Sequence, residues 1–175
     1  KKKKKRHEDA LRPMGGWRQR ASEDINGFAR SFIGGENNTN NRRLAAGTYN
    51  KLYTINAGNV LTDITPTGLT AGRVDATINT GYGAGVYGFE EYGLPRSDNQ
   101  SILKATVWSL DNWGEYLLAM SPDDGKLYEW QLNNAVKAAQ VSNAPTSCSG
   151  FMVTEERFVV CFGAGGDPRK VFFFF

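Results

Sequence analysis

The chain has 175 residues, 40% of them hydrophobic and 12% aromatic, with 20 glycines and 6 prolines. That supplies one sizeable core, and the glycine content argues against long helices, because Gly costs about 1 kcal/mol relative to Ala in a helix interior. The formal charge of +3 is smaller than the six positive charges of Lys1 to Arg6, so the remaining residues stand at −3 and show no global basic signature of a nucleic-acid binder.

In chain order, residues 1–12 read as a basic head, disordered or extraneous to the fold, since runs of like charge stay solvated. No apolar run approaches the roughly 20 residues of a membrane-spanning helix, and none follows the basic start as a signal peptide requires. Pro13-Met14-Gly15-Gly16 is a turn ahead of Trp17, an aromatic anchor. Residues 18–42 are polar, and Glu36-Asn37-Asn38-Thr39-Asn40-Asn41 reads as a loop.

A hairpin pattern then occurs three times. Arg43 to Gly47 leads through a short turn into Lys51-Leu52-Tyr53-Thr54-Ile55. Tyr116 to Met120 leads through a Ser-Pro-Asp-Asp-Gly turn into Lys126-Leu127-Tyr128-Glu129-Trp130. Arg157 to Phe162 leads through a Gly-rich turn into Lys170-Val171-Phe172. Each copy runs from an apolar strand through a turn into Lys, apolar, aromatic. The lysines stand 75 and then 44 residues apart. The second interval matches the roughly 40–50 residues of a propeller blade, and the first is a blade plus an insertion. The Gly- and Tyr-rich residues 79–100 supply that insertion.

Asn59 to Ile64 continues the first hairpin as a third strand, ended by Pro66. Ile102 to Leu110 is a further strand before a turn at Asp111-Asn112-Trp113-Gly114. Ala135 to Val141 is one helical turn or an irregular crossover, and Phe151 to Thr154 is a short strand turning at Glu155-Glu156. Short strands at this spacing define an all-β chain. The repeat favours a β-propeller-like domain over residues 13–175, with roughly three to four blades of short antiparallel strands. A closed ring typically takes about four to eight blades, so the chain is expected to be a portion of a longer protein. The closing run Phe172 to Phe175 would leave an exposed apolar patch and stands outside this pattern, as does the basic head.

Residues for chemistry are sparse. His7, the single histidine, lies in the basic head, so the body offers no Ser-His-Asp or Cys-His arrangement. Cys148 and Cys161 alone do not make a zinc site, and Cys161 reads as a small buried hydrophobe. The pairs Glu90-Glu91, Asp123-Asp124 and Glu155-Glu156 read as solvated turns rather than a glycosidase pair, since neighbours on a strand point to opposite faces. Gly81 to Gly88 mimics a dinucleotide loop but is followed by Glu90 to Pro95, which breaks the helix such a loop needs. Tyr and Gly together suit an adaptable contact loop. Trp130 reads as core and Trp113, in a turn, as a surface contact. The candidate partner contacts are Tyr82, Tyr87, Glu90, Tyr92, Asn112 and Trp113. No catalytic, cofactor or metal residue is expected, and the chain reads as a non-enzyme.

Several stretches together resemble a family of structural proteins of tailed-bacteriophage particles. They are Arg12 to Trp17, Leu44 to Tyr53 with Asp63 to Pro66, Gly81 to Gly88, Thr106 to Glu115, and residues 143–170. The likeness covers most of residues 12–170. The family is similar in organisation to propeller-containing tail nozzle proteins and carries no catalytic motif. This chain departs from it in having arginine, not an aromatic, in Asn41-Arg42-Arg43, and a Phe run where Trp-Ser-Asp would follow Val171. The resemblance implies a virion component of the tail (a nozzle, tip or connector) without a cofactor. Its partners would be copies of itself in a symmetric ring and neighbouring tail or connector proteins, with nucleic acid present only as DNA passing a channel. The alternative is a receptor- or glycan-binding fibre module, with depolymerase activity on a host surface glycan.

Overall fold

The computed structural model describes residues 4–7, 10–13, 16, 19, 21, 23–76 and 104–174. These residues are all-β, in four antiparallel sheets, with one 3-10 turn at Ala164–Gly166 and no α-helix. Strand β1 (Lys4–His7) pairs with β2 (Ala10–Pro13). Sheet I runs β3 (Ser31–Glu36), β4 (Arg42–Gly47), β5 (Leu52–Asn56), β6 (Leu61–Asp63). Sheet II runs β7 (Ser109–Trp113), β8 (Tyr116–Met120), β9 (Leu127–Trp130), β10 (Ala139–Gln140). Sheet III runs β11 (Gly150–Val153), β12 (Val159–Phe162), β13 (Val171–Phe174). Within each sheet every strand pairs with the next in sequence, so each is a plain meander. The three hairpins read from the repeat are β4–β5, β8–β9 and β12–β13. The proposed insertion at 79–100 lies outside the described residues.

Strand side chains alternate between faces, and the register assigns each one. In sheet II, Leu117 and Ala119 stand opposite Trp130 and Tyr128. These four form a buried cluster with Ala45 and Leu52 of sheet I and with Ile64, Trp108 and Ala138. On the other face, Leu118, Met120 and Leu127 form a second cluster with Phe151, Val159 and Cys161 of sheet III and with Cys148 and Ala164. Sheet II is therefore covered on both faces. The same hairpin positions act alike in each copy. A rear face holds the pairs Leu44/Ile55 and Ala46/Tyr53 in sheet I, Leu117/Trp130 and Ala119/Tyr128 in sheet II, and Cys161/Phe172 in sheet III. A front face holds Ala45 and Leu52, then Leu118, Met120 and Leu127, then Val160, Phe162, Val171 and Phe173. The front of sheet I meets the rear of sheet II, and the front of sheet II meets the rear of sheet III. The Lys-apolar-aromatic pattern follows from this: the apolar residue points forward and the aromatic backward.

The first strands lie side by side, with β7 between β3 and β11. The connection from sheet I to sheet II is pinned by Trp108, whose indole N–H donates to the Thr48 carbonyl. A Cβ on Gly47 would fall 2.7 Å from that indole, so the position admits only glycine. Further along, Ala138 N–H donates to the Ile64 carbonyl at 3.0 Å, tying the end of sheet II back to sheet I.

Both cysteines are free and buried between sheets II and III. Burial, reinforced by the neighbouring Cys148, pushes the Cys161 thiol up to about 12. Burial also raises Cys148, against a hydrogen bond with Cys161 that lowers it.

Several expectations are corrected. Residues 31–36, read as part of a polar stretch, form β3. Its residues are a poor strand sequence, and the strand exists because β4 pairs along its whole length and buries Ser31, whose hydroxyl donates to the Trp108 carbonyl at 2.8 Å. Asp111, Asn112 and Trp113 belong to β7, and the turn falls at Gly114, with φ 64°, and Glu115. The strand expected from Ile102 to Leu110 thus begins only at Ser109 among the described residues. Of the two readings of Ala135 to Val141, the irregular crossover holds, and it contains the two-residue β10 near its end. Neither end is unstructured throughout: Lys4–His7 is paired backbone, and Val171–Phe174 pairs with β12 along its full length.

Leu127 sits 1% exposed between sheets II and III. Leu127→Ala is expected to lower the unfolding free energy by about 3 kcal/mol, whereas Val136→Ala on the surface should cost less than about 0.5 kcal/mol, both read from denaturant midpoints.

Candidate functional site

Because sheets I, II and III are meanders stacked in the same sense, their first-hairpin turns emerge at one end. These turns are residues 37–41 of sheet I, 114–115 of sheet II and 154–158 of sheet III. The Asn-rich loop is ordered by its own side chains. The Asn37 carboxamide oxygen accepts from the Thr39 N–H at 3.1 Å, the Thr39 hydroxyl at 2.8 Å and the Asn41 N–H at 2.9 Å. Asn40 takes φ 59°, a left-handed conformation that Asn tolerates.

The turns are tied to one another across the sheets. Asn38 N–H donates to the Glu115 carboxylate at 3.3 Å. The Asn112 amide donates to the Gly34 carbonyl at 2.8 Å. Arg43 donates to the Asn112 side-chain oxygen at 3.3 Å and to the Glu115 carbonyl. Its guanidinium also stands 6.0 Å from the centre of the Trp130 ring, within cation–π range. Desolvation by burial lowers the Arg43 pKa, against the raising influence of Glu115. On the other side, the Trp113 indole donates to the Arg157 carbonyl at 2.9 Å, and Asp111 accepts from Val153 N–H at 2.8 Å.

Between the three turns lies an open cleft of about 670 Å³, lined by Asn37, Asn38, Asn40, Trp113, Tyr116 and Arg157, with Glu36 and Glu115 at its walls. Its chemistry is amide, carboxylate and guanidinium beside two aromatic surfaces. Such a lining makes hydrogen bonds and flat apolar contact, and suits a polar protein surface or a sugar. Among the described residues no group of His, Cys, Asp and Glu could hold a metal ion.

Of the six contacts read from sequence, Asn112 and Trp113 flank this end. Tyr82, Tyr87, Glu90 and Tyr92 lie outside the described residues, as does Glu90-Glu91. Trp113 was expected in a turn as a free surface aromatic. Instead it is half-buried at the end of β7, packed against the cluster between sheets II and III, with its N–H already used. Sequence reasoning missed Arg43, Glu115 and the Asn38 contact. The signal for Arg43 was its departure from the aromatic expected there.

The opposite end holds a second correction. Asp123 and Asp124 do sit in a turn, but not as solvated carboxylates: their side chains are 9% and 2% exposed. Asp123 is paired with Arg73 at 2.8 Å and accepts from the Thr106 hydroxyl. Asp124 accepts from the Tyr128 hydroxyl and from Thr70 N–H at 3.3 Å, and pairs with Lys126 at 3.4 Å. Burial raises the Asp124 pKa, but the hydrogen bonds from Tyr128 and Thr70 together with Lys126 outweigh it, so the net shift is downward. Burial, then Asp124, raises the Tyr128 pKa. Glu155 and Glu156 are exposed turn residues, as read.

Comparison with protein-family profiles, curated proteins and solved structures returned no match.

Two outcomes are expected. In a double-mutant cycle of Arg43→Ala and Asn112→Ala, denaturation should give a coupling of about 0.5–1.5 kcal/mol between sheets I and II. A depressed Asp124 pKa contributes stability above the unfolded value of 3.8, lost as pH falls through the folded value. Asp124→Asn should therefore lower Tm at pH 7, and the gap from the parent should shrink toward pH 2.

Proposed function

We propose that this chain is a bacteriophage virion structural protein, a propeller-like portion of a tail component such as a nozzle, tip or connector, acting through protein–protein assembly and not catalysis. The observation that carries this reading is the repeated stack. Three meanders pack rear to front, with their first strands side by side, as blades do around a propeller axis. The resemblance of residues 12–170 to phage virion proteins supports it independently of the packing. The mechanism is geometric. Turns locked by hydrogen bonds between sheets give a rigid end on which symmetric copies and neighbouring tail proteins pack, around a channel that DNA passes.

The cleft between the turns favours a second reading, a glycan-binding fibre module, because amides beside Trp113 and Tyr116 are sugar-binding chemistry.

Peptide mass spectrometry of purified particles should recover this sequence among the tail proteins. Its absence from intact particles sinks the structural reading. Glycan-array binding that Asn38→Ala and Tyr116→Ala both abolish would favour the fibre module instead.

A further inference from the structure

A second cleft, of about 350 Å³, opens at the seam of sheets I and II and shares Asn37 with the cleft between the turns. The Asn-rich loop, the start of β4, the turn from β5 to β6 and the segment that follows β9 form its walls. Its polar lining is Asn37, Asn41, Asn56 and Asn134 with Arg42 and Arg43, and no Asp or Glu lines it. The first cleft differs in carrying Glu36 and Glu115. Ala57 and Leu132 add apolar surface. Leu132 takes φ 63°, a left-handed conformation costly for Leu, and such costs concentrate at ligand sites.

Arg43 is the unusual member. It stands opposite Asn56 in the β4–β5 register, half-buried beside Trp130. Its Nη2 donates to Asn112 and Glu115, while Nη1 is buried with no acceptor among the described residues. Arg42 pairs with Glu36 at 3.5 Å, but Arg43 forms no ion pair among the described residues. A cation that loses hydration is ordinarily matched by an anion, since only an opposite charge or strong acceptors replace the lost water. Desolvation lowers the Arg43 pKa, and Glu115 offsets this only in part.

We infer that this cleft binds a carboxylate-bearing sugar unit, a hexuronate, with Arg43 gripping the carboxylate and the asparagines the ring hydroxyls. The planar guanidinium fork matches a carboxylate, and a small turn of this long side chain brings Nη1 to it. A carboxamide both donates and accepts, as a hydroxyl partner must. The Asn56 side-chain oxygen accepts from Val60 N–H at 3.0 Å, so its own N–H groups remain to donate. The exposed Asn134 side chain is bonded to no described residue. Four carboxamides around one cation favour a ligand with many hydroxyls over an acidic peptide side chain, which presents two oxygens and no donor. The inference rests on the glycan-binding reading above and gives it a sugar class and a second subsite.

The test is titration of the 175-residue chain with free glucuronate, glucose, acetate and a glutamate-rich peptide, followed by NMR. Glucuronate should bind with a Kd of about 1 mM and shift the Arg43 guanidinium and Asn134 carboxamide signals. Glucose and acetate should bind at least about tenfold more weakly, because each offers only half of the recognised groups. Arg43→Lys keeps the charge but loses the fork, and should weaken glucuronate binding at least about tenfold. Asn134→Ala, on the surface, should weaken it about threefold. Circular dichroism and Tm establish that the variants fold, and Asn134→Ala carries the test if Arg43→Lys does not.

No glucuronate binding, glucose or acetate held as tightly, a tighter hold on the peptide, or folded variants that bind like the parent overturn the inference. Failure here, with array binding that Asn38→Ala and Tyr116→Ala abolish, leaves the glycan-binding reading standing. Glucuronate held as expected, with no glycan bound on the array, does the reverse.

Discussion

Sheets I, II and III each carry apolar side chains on both faces, and that constraint organises the rest. A strand's side chains alternate, so a sheet with one wet face reads apolar, polar, apolar. Here β8 reads Tyr-Leu-Leu-Ala-Met and is buried from Leu117 to Met120. Such a sheet must be sandwiched, and its neighbour inherits the same need. Stacking one more sheet satisfies one face and presents another. Among the described residues, sheet II is the one with a sheet on each face, through Leu117, Ala119, Tyr128 and Trp130 on one side and Leu118, Met120 and Leu127 on the other.

Apolar contact between sheets is permissive about angle and offset, and polar ties remove that freedom. Arg43, Asn112 and Glu115 lock sheet I to sheet II at one end, while Asp123 with Arg73 and Thr106, and Asp124 with Thr70, hold the intervening segment at the other. Each tie is directional, partly buried and charge-assisted in several cases, so it selects one alignment among many that would bury similar area. The turns thus owe their rigidity to neighbours in space rather than to their own sequence, with the Asn37 loop the exception.

Much of the architecture was legible because the repeat is a packing pattern written in residues. Lys-apolar-aromatic after a turn marks β5, β9 and β13, since the apolar residue and the aromatic serve opposite faces. Strand β3 was not legible. Ser31, Gly34, Gly35 and Glu36 carry no strand preference, and a Cβ at Gly35 would stand 2.8 Å from the Asn112 side-chain oxygen, which would have to shift. The turn at Asp111 was misplaced for a related reason. Asp-Asn-Trp-Gly has turn residues, yet Asp111 and Asn112 spend their polar groups on neighbouring sheets, which a single-strand reading does not see. The site was the least legible part: it joins residues far apart in sequence, such as Asn38 and Glu115, 77 positions apart, through contacts that no local pattern encodes.

The buried cysteines have a consequence in another field, that of chemical labelling. Thiols react as thiolates, and a group held near 12, as Cys161 is, supplies almost none at neutral pH. Both sulfurs also lie inside the contact between sheets II and III, beyond the reach of a bulky reagent. Alkylation of this chain is therefore governed by how often sheet III lifts from sheet II and not by thiol chemistry. The pair is a native clock for the parting of sheets II and III, readable without adding a probe.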